Sequence, residues 1–376
     1  MKITAYEALC NLGNNIETIY HKAINGDISC FDNLEGCINE GIVRAGLIKT
    51  DLPIIYEKDY NLRCNKLLLK NCELLKDNIQ DIGKKYSKDK IGVIIATTNS
   101  GVEEFEKSEN SKHFELGNPA LFLKSYFGLS GFYATVSTAC SSGLKAFSSA
   151  RDLLNNNICD AVIIGCVDSL AKVPIYGFNS LEVLSDKPSV PFSKNRCGMN
   201  IGEGCAIFIA ENDSSSGIKI LGIGESSDIY HLTTPDPQAK EAINAMNSAL
   251  NEAGLKPEDI DYINAHATGT IANDIMESNA IYKVFNDKTP VSSTKPLTGH
   301  CLGAAAGIET ALCCKLLDSF DGRLYPHIFD KNYDKSLPKM NLVELGKKYQ
   351  KCNVCMCNSF GFGGTNAIMI MGKNYE

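Results

Sequence analysis

The sequence predicts an α/β protein with a layered α-β-α-β-α architecture and two similar βαβ-rich halves. Apolar runs such as KIGVIIATT (90–98) and DAVIIGCVD (160–168) are continuous, which is typical of strands covered on both faces. Helical patterns alternate with these runs, and the alternation restarts after the polar, turn-rich segment ENDSSSG (211–217). We therefore expect one half at 1–213 and another at 214–376, with two stacked parallel sheets around a shared helical layer.

In the first half, apolar runs alternate with one clear helical pattern. The predicted strands are 90–98, 132–139, 160–168 and 205–211. Segment 142–157 is a predicted helix, because its leucines and phenylalanine can share one side and three asparagines end it. The residues predicted to share that side are Leu144, Phe147, Leu153 and Leu154.

In the second half, the order strand, helix, strand repeats. Residues 218–227 form an apolar strand pattern, and 239–255 form an amphipathic helix that stops at Gly254. The remaining predicted elements are strands at 261–266, 290–295, 353–359 and 366–371, and a helix at 303–320.

The composition excludes several classes of function. Hydrophobic residues make up 44% of the 376 residues and charged residues 22%, which suits a large globular core. A net charge of −7 argues against a dedicated nucleic-acid binder. No apolar run is long enough to cross a bilayer and the first residues show no secretory signal, so we expect a cytoplasmic protein with no membrane span.

The sixteen cysteines fit a reduced protein in which many thiols are small buried hydrophobes. The pattern closest to a metal site is CNVCMC, with Cys352, Cys355 and Cys357. It has no second pair at ligand spacing, and its alternation is typical of a strand. We therefore expect no metal site.

Cys140, in VSTACSSG, lies where a predicted strand passes into a helix. The positive end of the helix and its free N–H groups favour a thiolate, so this position predicts a lowered thiol pKa. Three small residues follow and leave the sulfur accessible: Ser141, Ser142 and Gly143. The alternative is an ordinary buried cysteine.

Two of the six histidines lie at strand ends beside glycine- and threonine-rich turns. His266 is in NAHATGTIAND, and His300 is in SSTKPLTGHCLGAAAG, five residues after Lys295. The glycine cluster NSFGFGGTNA (358–367) can bring backbone N–H groups close to a substrate. These residues with Cys140 form a candidate acyl-transfer site. Taken singly, each histidine could equally be a core residue.

These four segments, in this order, resemble the signature segments of β-ketoacyl-ACP synthases, and most closely those of the Cys-His-His elongating type. The resemblance extends to GNPALFLKSYFGLSG (117–131), to 177–211 and to YHLTTPDPQA (230–239), and so spans nearly the whole chain. It implies a thiolase-like fold and a decarboxylative condensation in fatty acid or polyketide-like chain elongation.

The resemblance also implies a role for each site residue. Cys140 would carry the acyl chain as a thioester, while His266 and His300 would hydrogen-bond the enolate formed from malonyl-ACP. The backbone N–H groups of Cys140 and Phe362 would form the oxyanion hole, and Phe362 would gate the acyl pocket. Lys295 would orient the histidines and keep them neutral. Glu309 and Asp274 would be supporting residues.

By the same resemblance, Thr268 and Thr270 would hydrogen-bond the pantetheine arm. The residues expected to line the acyl pocket are Asn99, Phe192 and Phe360. Asn99 would give that pocket a polar floor, suited to a polar, unsaturated or shortened acyl chain. The family's His-Gly-Thr turn has Ala267 here, which costs about 1 kcal/mol if the position needs a positive φ.

The expected partners are an acyl carrier protein (ACP) and a second subunit, in a homodimer or in a heterodimer with a related ketosynthase. No cofactor is expected beyond the phosphopantetheine that the carrier brings. Because carriers are acidic, a basic patch should receive them. The residues assigned to it are Arg196, Lys194, Arg63 and Lys66.

Two other functions are compatible with these motifs. A thiolase acting on CoA esters would use a second cysteine near the last glycine cluster, where this chain has Phe360 and Phe362. A weakly active or non-catalytic partner subunit, similar to a chain-length factor, would typically lack the nucleophile. Cys140, both histidines and Lys295 are all present, which favours an active synthase.

Overall fold

The computed structural model of the protein describes residues 1–38, 41–108 and 110–373. The strands in these ranges are β1 (Lys2–Leu9), β2 (Asp32–Glu35), β3 (Ile42–Gly46), β4 (Ile91–Ala96), β5 (Tyr133–Val136), β6 (Ala161–Asp168), β7 (Ile201–Gly202), β8 (Gly204–Glu211), β9 (Ile218–Ser227), β10 (Tyr262–Asn264), β11 (Pro290–Ser292), β12 (Asn341–Leu342), β13 (Val354–Phe360) and β14 (Thr365–Gly372). The α-helices are α1 (Ile16–Ile24), α2 (Arg63–Leu74), α3 (Lys76–Lys85), α4 (Val102–Ser108), α5 (Ser111–Phe114), α6 (Asn118–Tyr126), α7 (Ser142–Asn155), α8 (Lys172–Ser180), α9 (Lys240–Ala253), α10 (Ile271–Phe285), α11 (Lys295–Thr298) and α12 (Ala305–Ser319).

Eleven of these strands form one long mixed sheet in the order β12-β11-β10-β13-β14-β9-β1-β8-β6-β4-β5. The first half contributes β5, β4, β6, β8 and β1, and the second contributes the rest. The two sets meet only where Lys2 and Ile3 of β1 pair with Lys219 and Ile218 of β9. The predicted boundary at residue 213 lies in the connection between β8 and β9.

The prediction of two stacked parallel sheets is only partly correct, because the two sets join in one sheet and several strand pairs are antiparallel. In each set the strands nearest the edge are parallel, β4 with β5 and β6, and β10 with β11 and β13. The pairs β6–β8, β8–β1, β13–β14 and β14–β9 are antiparallel. For β13 and β14 the reason is the connection of four residues, 361–364, because a parallel pair needs a crossover of about a dozen residues or more.

The predicted five layers are present. Helices α7 and α12 lie between the two strand sets: α7 contacts β4, β6 and β14, and α12 contacts β6, β8 and β13. Helices α2 and α6 cover the outer face of the first set, and α9 and α10 cover the second. Helix α12 is buried on nearly all sides, as expected for a helix in the middle of a protein.

The predicted side of α7 is confirmed, since Leu144, Phe147, Leu153 and Leu154 are all buried in the central hydrophobic core. Several strand predictions are too long, and the pattern at 132–139 forms a strand only over β5. The strand pattern at 290–295 ends at Ser292, and Lys295 instead begins the short helix α11. Cys140, His266 and His300 lie in the connections just outside strands and helices. Within the described ranges, no helix is long and apolar enough to cross a membrane.

Candidate active site

Cys140, His266 and His300 converge between the two halves of the chain. Cys140 directly precedes Ser141 and α7, His266 follows β10, and His300 follows α11. The Sγ of Cys140 and one ring nitrogen of each histidine lie within 4.8 Å of one another. All three side chains are buried. Spacing along the chain could not show this convergence; the packing of the two halves around α7 and α12 produces it.

The Cys140 thiol has a raised pKa, so the predicted lowering is wrong. Burial raises the pKa of Cys140 to about 11. The charge of Lys295 and two backbone N–H groups, those of Phe362 and of Cys140 itself, lower it without overcoming burial. Both N–H groups expected for the oxyanion hole are therefore near enough to this sulfur to lower its pKa. The Ser359 hydroxyl donates to the carbonyl of Cys140 at 2.9 Å and fixes the backbone there.

Both histidines are neutral in this environment. Burial, followed by the charge of Lys295 and by His300, holds the pKa of His266 well below its usual value. Burial and Lys295 do the same to the pKa of His300. Lys295 Nζ lies 3.2 Å from His266 Nδ1, and the N–H of Leu302 donates to His300 Nδ1 at 3.1 Å. With both Nδ1 atoms accepting, Nε2 carries the proton on each ring.

Lys295 is held by Glu309, as the resemblance implied. Lys295 Nζ donates to Glu309 Oε1 at 2.5 Å, and both side chains are almost completely buried. Burial raises the pKa of Glu309 to about 7, although the lysine charge lowers it. The trio of Cys140 and the two histidines has the donor types for a metal ion. The lysine ammonium on His266 opposes a second cation there.

Glu277 was missed by the sequence reasoning. Its two carboxylate oxygens accept the backbone N–H groups of His266 at 2.8 Å and of Ala267 at 2.6 Å. Asn358 donates to the same carboxylate at 3.1 Å. Ala267 has a φ of +28°, so the turn does need the left-handed backbone that glycine supplies in the family. The sequence signal that could have identified Glu277 is an acidic residue one helical turn after Asp274.

Asp168 was also missed. It ends the buried strand β6 and is itself fully buried. Its carboxylate accepts from three consecutive residues, Thr97, Thr98 and Asn99, and from the N–H of Gly303 at 2.7 Å. It thus ties the loop after β4 to the turn that follows His300. An acid at the end of a wholly apolar strand is the sequence signal.

A first cavity of about 330 Å³ leads from the surface to Cys140 and both histidines. Thr268, Thr270 and Phe360 line it. The two threonine hydroxyls hydrogen-bond each other at 2.9 Å. The predicted pantetheine residues are therefore at the approach to the thiol. Phe360 lines this approach and packs edge-on against His266, rather than lining the second cavity.

A second cavity, of about 390 Å³, begins on the other side of Cys140. Asn99 lines it, as predicted, together with Phe178 of α8 and Leu181. Cys140 and Phe362 line both cavities, and the Phe362 ring packs against Phe178 with 5.8 Å between centroids. Phe362 therefore lies beside both cavities, as expected of a residue that gates the passage between them.

Phe192 does not line the second cavity, although it was expected in the acyl pocket. It is fully buried in the outer core of the second half, where its ring packs on His327 at 5.5 Å. Its backbone N–H donates to Asp274. Because Phe192 has a left-handed φ of +61°, the chain turns there and directs the side chain away from the site. Asp274 also accepts the N–H of Gly269, so it supports the histidine turn as predicted.

The predicted basic patch is largely absent. Arg196 is 9% exposed, donates to Asp334 at 2.6 Å, and has Nε 3.8 Å from Asp274 Oδ2. Arg63 donates two hydrogen bonds to Glu203, whose side chain is 1% exposed. These two guanidinium groups are occupied by internal carboxylates from distant parts of the chain. Only Lys194 is exposed, and Lys66 is half-buried.

Both domains of one protein family match this chain. Residues 66–215 match the family description "Beta-ketoacyl synthase, N-terminal domain", and residues 218–321 match "Beta-ketoacyl synthase, C-terminal domain". The chain is 37% identical over 268 residues, 66% of this chain and 64% of the other, to 3-oxoacyl-[acyl-carrier-protein] synthase 2 of Coxiella burnetii strain RSA 493. It is 29% identical to the Staphylococcus aureus strain COL protein of the same name, with 99% and 97% of the two chains covered.

The comparison with solved structures also finds a ketosynthase complex. The complex of the ketosynthase ApeO with its chain length factor ApeC, from Xenorhabdus doucetiae, contains a chain that superposes with a TM-score of 0.93 at 35% identity. The match covers 99% of this chain and 97% of that one. Both halves of the chain are thus matched within a single fold, and the chain belongs to the β-ketoacyl-ACP synthase family, the condensing acyltransferases of the thiolase-like superfamily.

Proposed function

We propose that the protein condenses malonyl-ACP with an acyl chain held as a thioester on Cys140, releasing CO₂ and a β-ketoacyl-ACP. The observation that carries the proposal is the convergence of one thiol and two neutral imidazoles within 4.8 Å, where a cavity that reaches the surface meets a second, largely apolar one. Two backbone N–H groups, those of Cys140 and Phe362, lower the pKa of the thiol and complete the arrangement.

In the first step, the pantetheine arm of an acyl carrier lies in the first cavity beside Thr268 and Thr270. Cys140 Sγ attacks the thioester carbon, and the carrier thiol leaves with the proton that Cys140 gives up. Since the pKa of Cys140 is about 11, the free thiol is protonated at neutral pH. The charge of Lys295 and the two N–H groups therefore act as negative charge develops on sulfur and on the carbonyl oxygen.

In the second step, malonyl-ACP replaces the free carrier. The Nε2–H groups of His266 and His300 donate to the thioester oxygen, the bond to the carboxylate breaks, and CO₂ departs. The electron pair left on the α-carbon attacks the acyl carbon on Cys140. The N–H groups of Cys140 and Phe362 stabilise the oxyanion, and the cysteine leaves as a thiolate that takes up a proton. The scheme balances without a metal or a redox cofactor.

We propose that this reaction requires a second subunit, related or identical. Helix α8, which lines the second cavity, and the end of the sheet at β5 both expose large apolar side chains to solvent. They include Val173 and Tyr176 on α8, and Tyr126, Phe132 and Tyr133 next to or within β5. Exposed apolar area of this kind marks an interaction surface. A cytoplasmic location is part of the proposal, because a reducing compartment keeps the Cys140 thiol free.

The test is to incubate the protein with a panel of acyl-ACPs and malonyl-ACP, and to follow acylation of Cys140 and product by intact-mass spectrometry. We expect an acyl adduct on Cys140 and, after malonyl-ACP is added, a β-ketoacyl-ACP two carbons longer. A protein that never acquires the adduct, or acquires it on another cysteine, contradicts the proposal. An adduct without condensation favours the weakly active partner subunit instead.

A further inference from the structure

We propose that the second cavity selects acyl chains that carry a hydrogen-bond donor, such as a hydroxyl group, and that the side-chain carbonyl of Asn99 recognises it. This inference rests on the function proposed above, since it takes the second cavity as the acyl pocket. It concerns the class of acyl group that Cys140 accepts, which the chemistry of condensation leaves open.

Most of the second cavity is apolar. Its walls are formed by the rings of Phe178 and Phe362 and by the side chains of Leu181, Leu302 and Pro174. Polar side chains enter the lining at only three positions within the described residues, apart from the thiol: Thr98, Asn99 and Ser180. A polar atom left without a partner in such surroundings has a large effect on which ligand binds.

The hydroxyl donors among these side chains are already in use. The Thr98 hydroxyl donates to Asp168 Oδ2 at 2.7 Å, and the Ser180 hydroxyl donates to the carbonyl of Gly177 at 2.8 Å. One N–H of the Asn99 Nδ2 group donates to the carbonyl of Ser169 at 3.1 Å. Asn99 is therefore the side chain of this lining whose polar atoms are not all bonded within the protein.

Asn99 Oδ1 is the acceptor that stands out. Asn99 is 6% exposed, and none of the described residues donates to its Oδ1, although its amide nitrogen and backbone N–H are both bonded. The bond from Nδ2 to Ser169 fixes the amide orientation, because a flipped amide would set two carbonyl oxygens against each other. Oδ1 is thus an acceptor without a donor among the described residues, on a side chain that lines the cavity.

The position of this acceptor is rigid. The Asn99 backbone N–H donates to Asp168 at 2.9 Å, and the same carboxylate holds Thr97 and Thr98. A fixed acceptor favours a ligand that places a donor there, and disfavours a methyl group, which leaves the acceptor unsatisfied. The hydroxyl chain is therefore expected to react faster than the methyl chain.

The experiment compares acyl-pantetheine thioesters that are matched in length and end in a hydroxyl or a methyl group. Carrier-free donors are used so that docking of a carrier protein plays no part. The rate of Cys140 acylation is measured by intact mass over a series of chain lengths. At the best length we expect the hydroxyl chain to react about five- to tenfold faster than the methyl chain, the worth of one neutral hydrogen bond.

Asn99→Leu, of similar size, should abolish or reverse this preference, while the methyl chain still acylates Cys140. Ser180→Ala is the matched control: it removes a hydroxyl from the same cavity, but one bonded to Gly177, and should keep the ratio of the two rates within about twofold. If Asn99→Leu does not fold by circular dichroism, Asn99→Ala is read in its place.

Equal rates for the hydroxyl and methyl chains at every length, or a preference that survives in the Asn99 variant, would overturn the inference. Loss of the preference in Ser180→Ala alone would transfer recognition to Ser180 and equally overturn the role of Asn99. Failure of both chains to acylate Cys140 is a different result, because it contradicts the proposed function itself.

Discussion

Removing the Arg196 side chain should destabilise the whole protein rather than weaken carrier docking. Arg196 is the cation between Asp274, which is fully buried, and Asp334, which lies nearer the surface. Arg196→Ala leaves Asp274 without its cation in the interior. Breaking a buried pair in this way costs about 3–5 kcal/mol, because the remaining charge has lost its solvation and its partner.

That loss is large enough to measure by heat denaturation. At about 2.1 cal/mol/K per residue, the 376 residues have an unfolding entropy near 0.8 kcal/mol/K, so 3 kcal/mol lowers Tm by about 4 °C. The effect also depends on pH. Burial raises the pKa of Asp274 to about 7 even with Arg196 present, and without the arginine it rises further.

The difference in Tm between the two proteins should increase as the pH rises. A carboxyl whose folded pKa lies above its unfolded value binds more protons when folded, so its contribution to stability falls as pH rises from about 4 through the folded pKa. At pH 5 the Asp274 carboxyl is protonated in both proteins and the difference in Tm should be small. At pH 8 the Asp274 carboxyl is largely ionised beside Arg196 in the unmodified protein, whereas in the variant it must either stay protonated or ionise without a cation, so the difference in Tm should be greatest.

The assay is the Tm of the two proteins from pH 5 to 8, with kcat/KM measured on an acyl-ACP and on a carrier-free acyl-pantetheine. Lys194→Ala is the control, because Lys194 is exposed two residues away. We expect Arg196→Ala to lower kcat/KM equally on both substrates. An unchanged Tm at pH 8 together with a loss confined to acyl-ACP would refute this reasoning and restore the docking role.

Three further predictions concern the site and the assembly. Cys140→Ala should lose both the acyl adduct and the condensation product when the proteins are followed by intact mass. In the unmodified protein, the rate of Cys140 alkylation should rise steeply between pH 7 and 10, because the pKa of the thiol is about 11. An alkylation rate that does not change with pH would contradict the raised pKa. Lys295→Met removes a charge that lowers the pKa of both His266 and His300. The pH below which the condensation rate falls should therefore be higher in the variant than in the unmodified protein. An unchanged pH dependence would argue against the lysine's role. In light scattering the active species should have about twice the 40.9 kDa mass of one chain; a fully active monomer would exclude the proposed assembly.

The sequence alone determined which residues could do the chemistry and which fold would hold them. Cys140, His266, His300 and the 358–367 glycine cluster each follow an apolar run at a turn, and such local patterns survive in a linear chain. The layered architecture was equally accessible, because strands covered on both faces and helices buried on one side leave periodic traces. The buried side of α7 was predicted residue by residue for this reason.

The tertiary structure decided what surrounds each of those residues. The pKa of Cys140 was predicted to fall from its place at a helix start, yet it rises because the two halves close over it and burial outweighs the local donors. Arg196 was predicted to face a partner, yet it faces Asp274 and Asp334, which are 78 and 138 residues away along the chain. Phe192 turns into the core, and Glu277 and Asp168 hold the catalytic turns, for the same reason. Solvent exposure and long-range partners are properties of the packed chain, and the local sequence carries little trace of them.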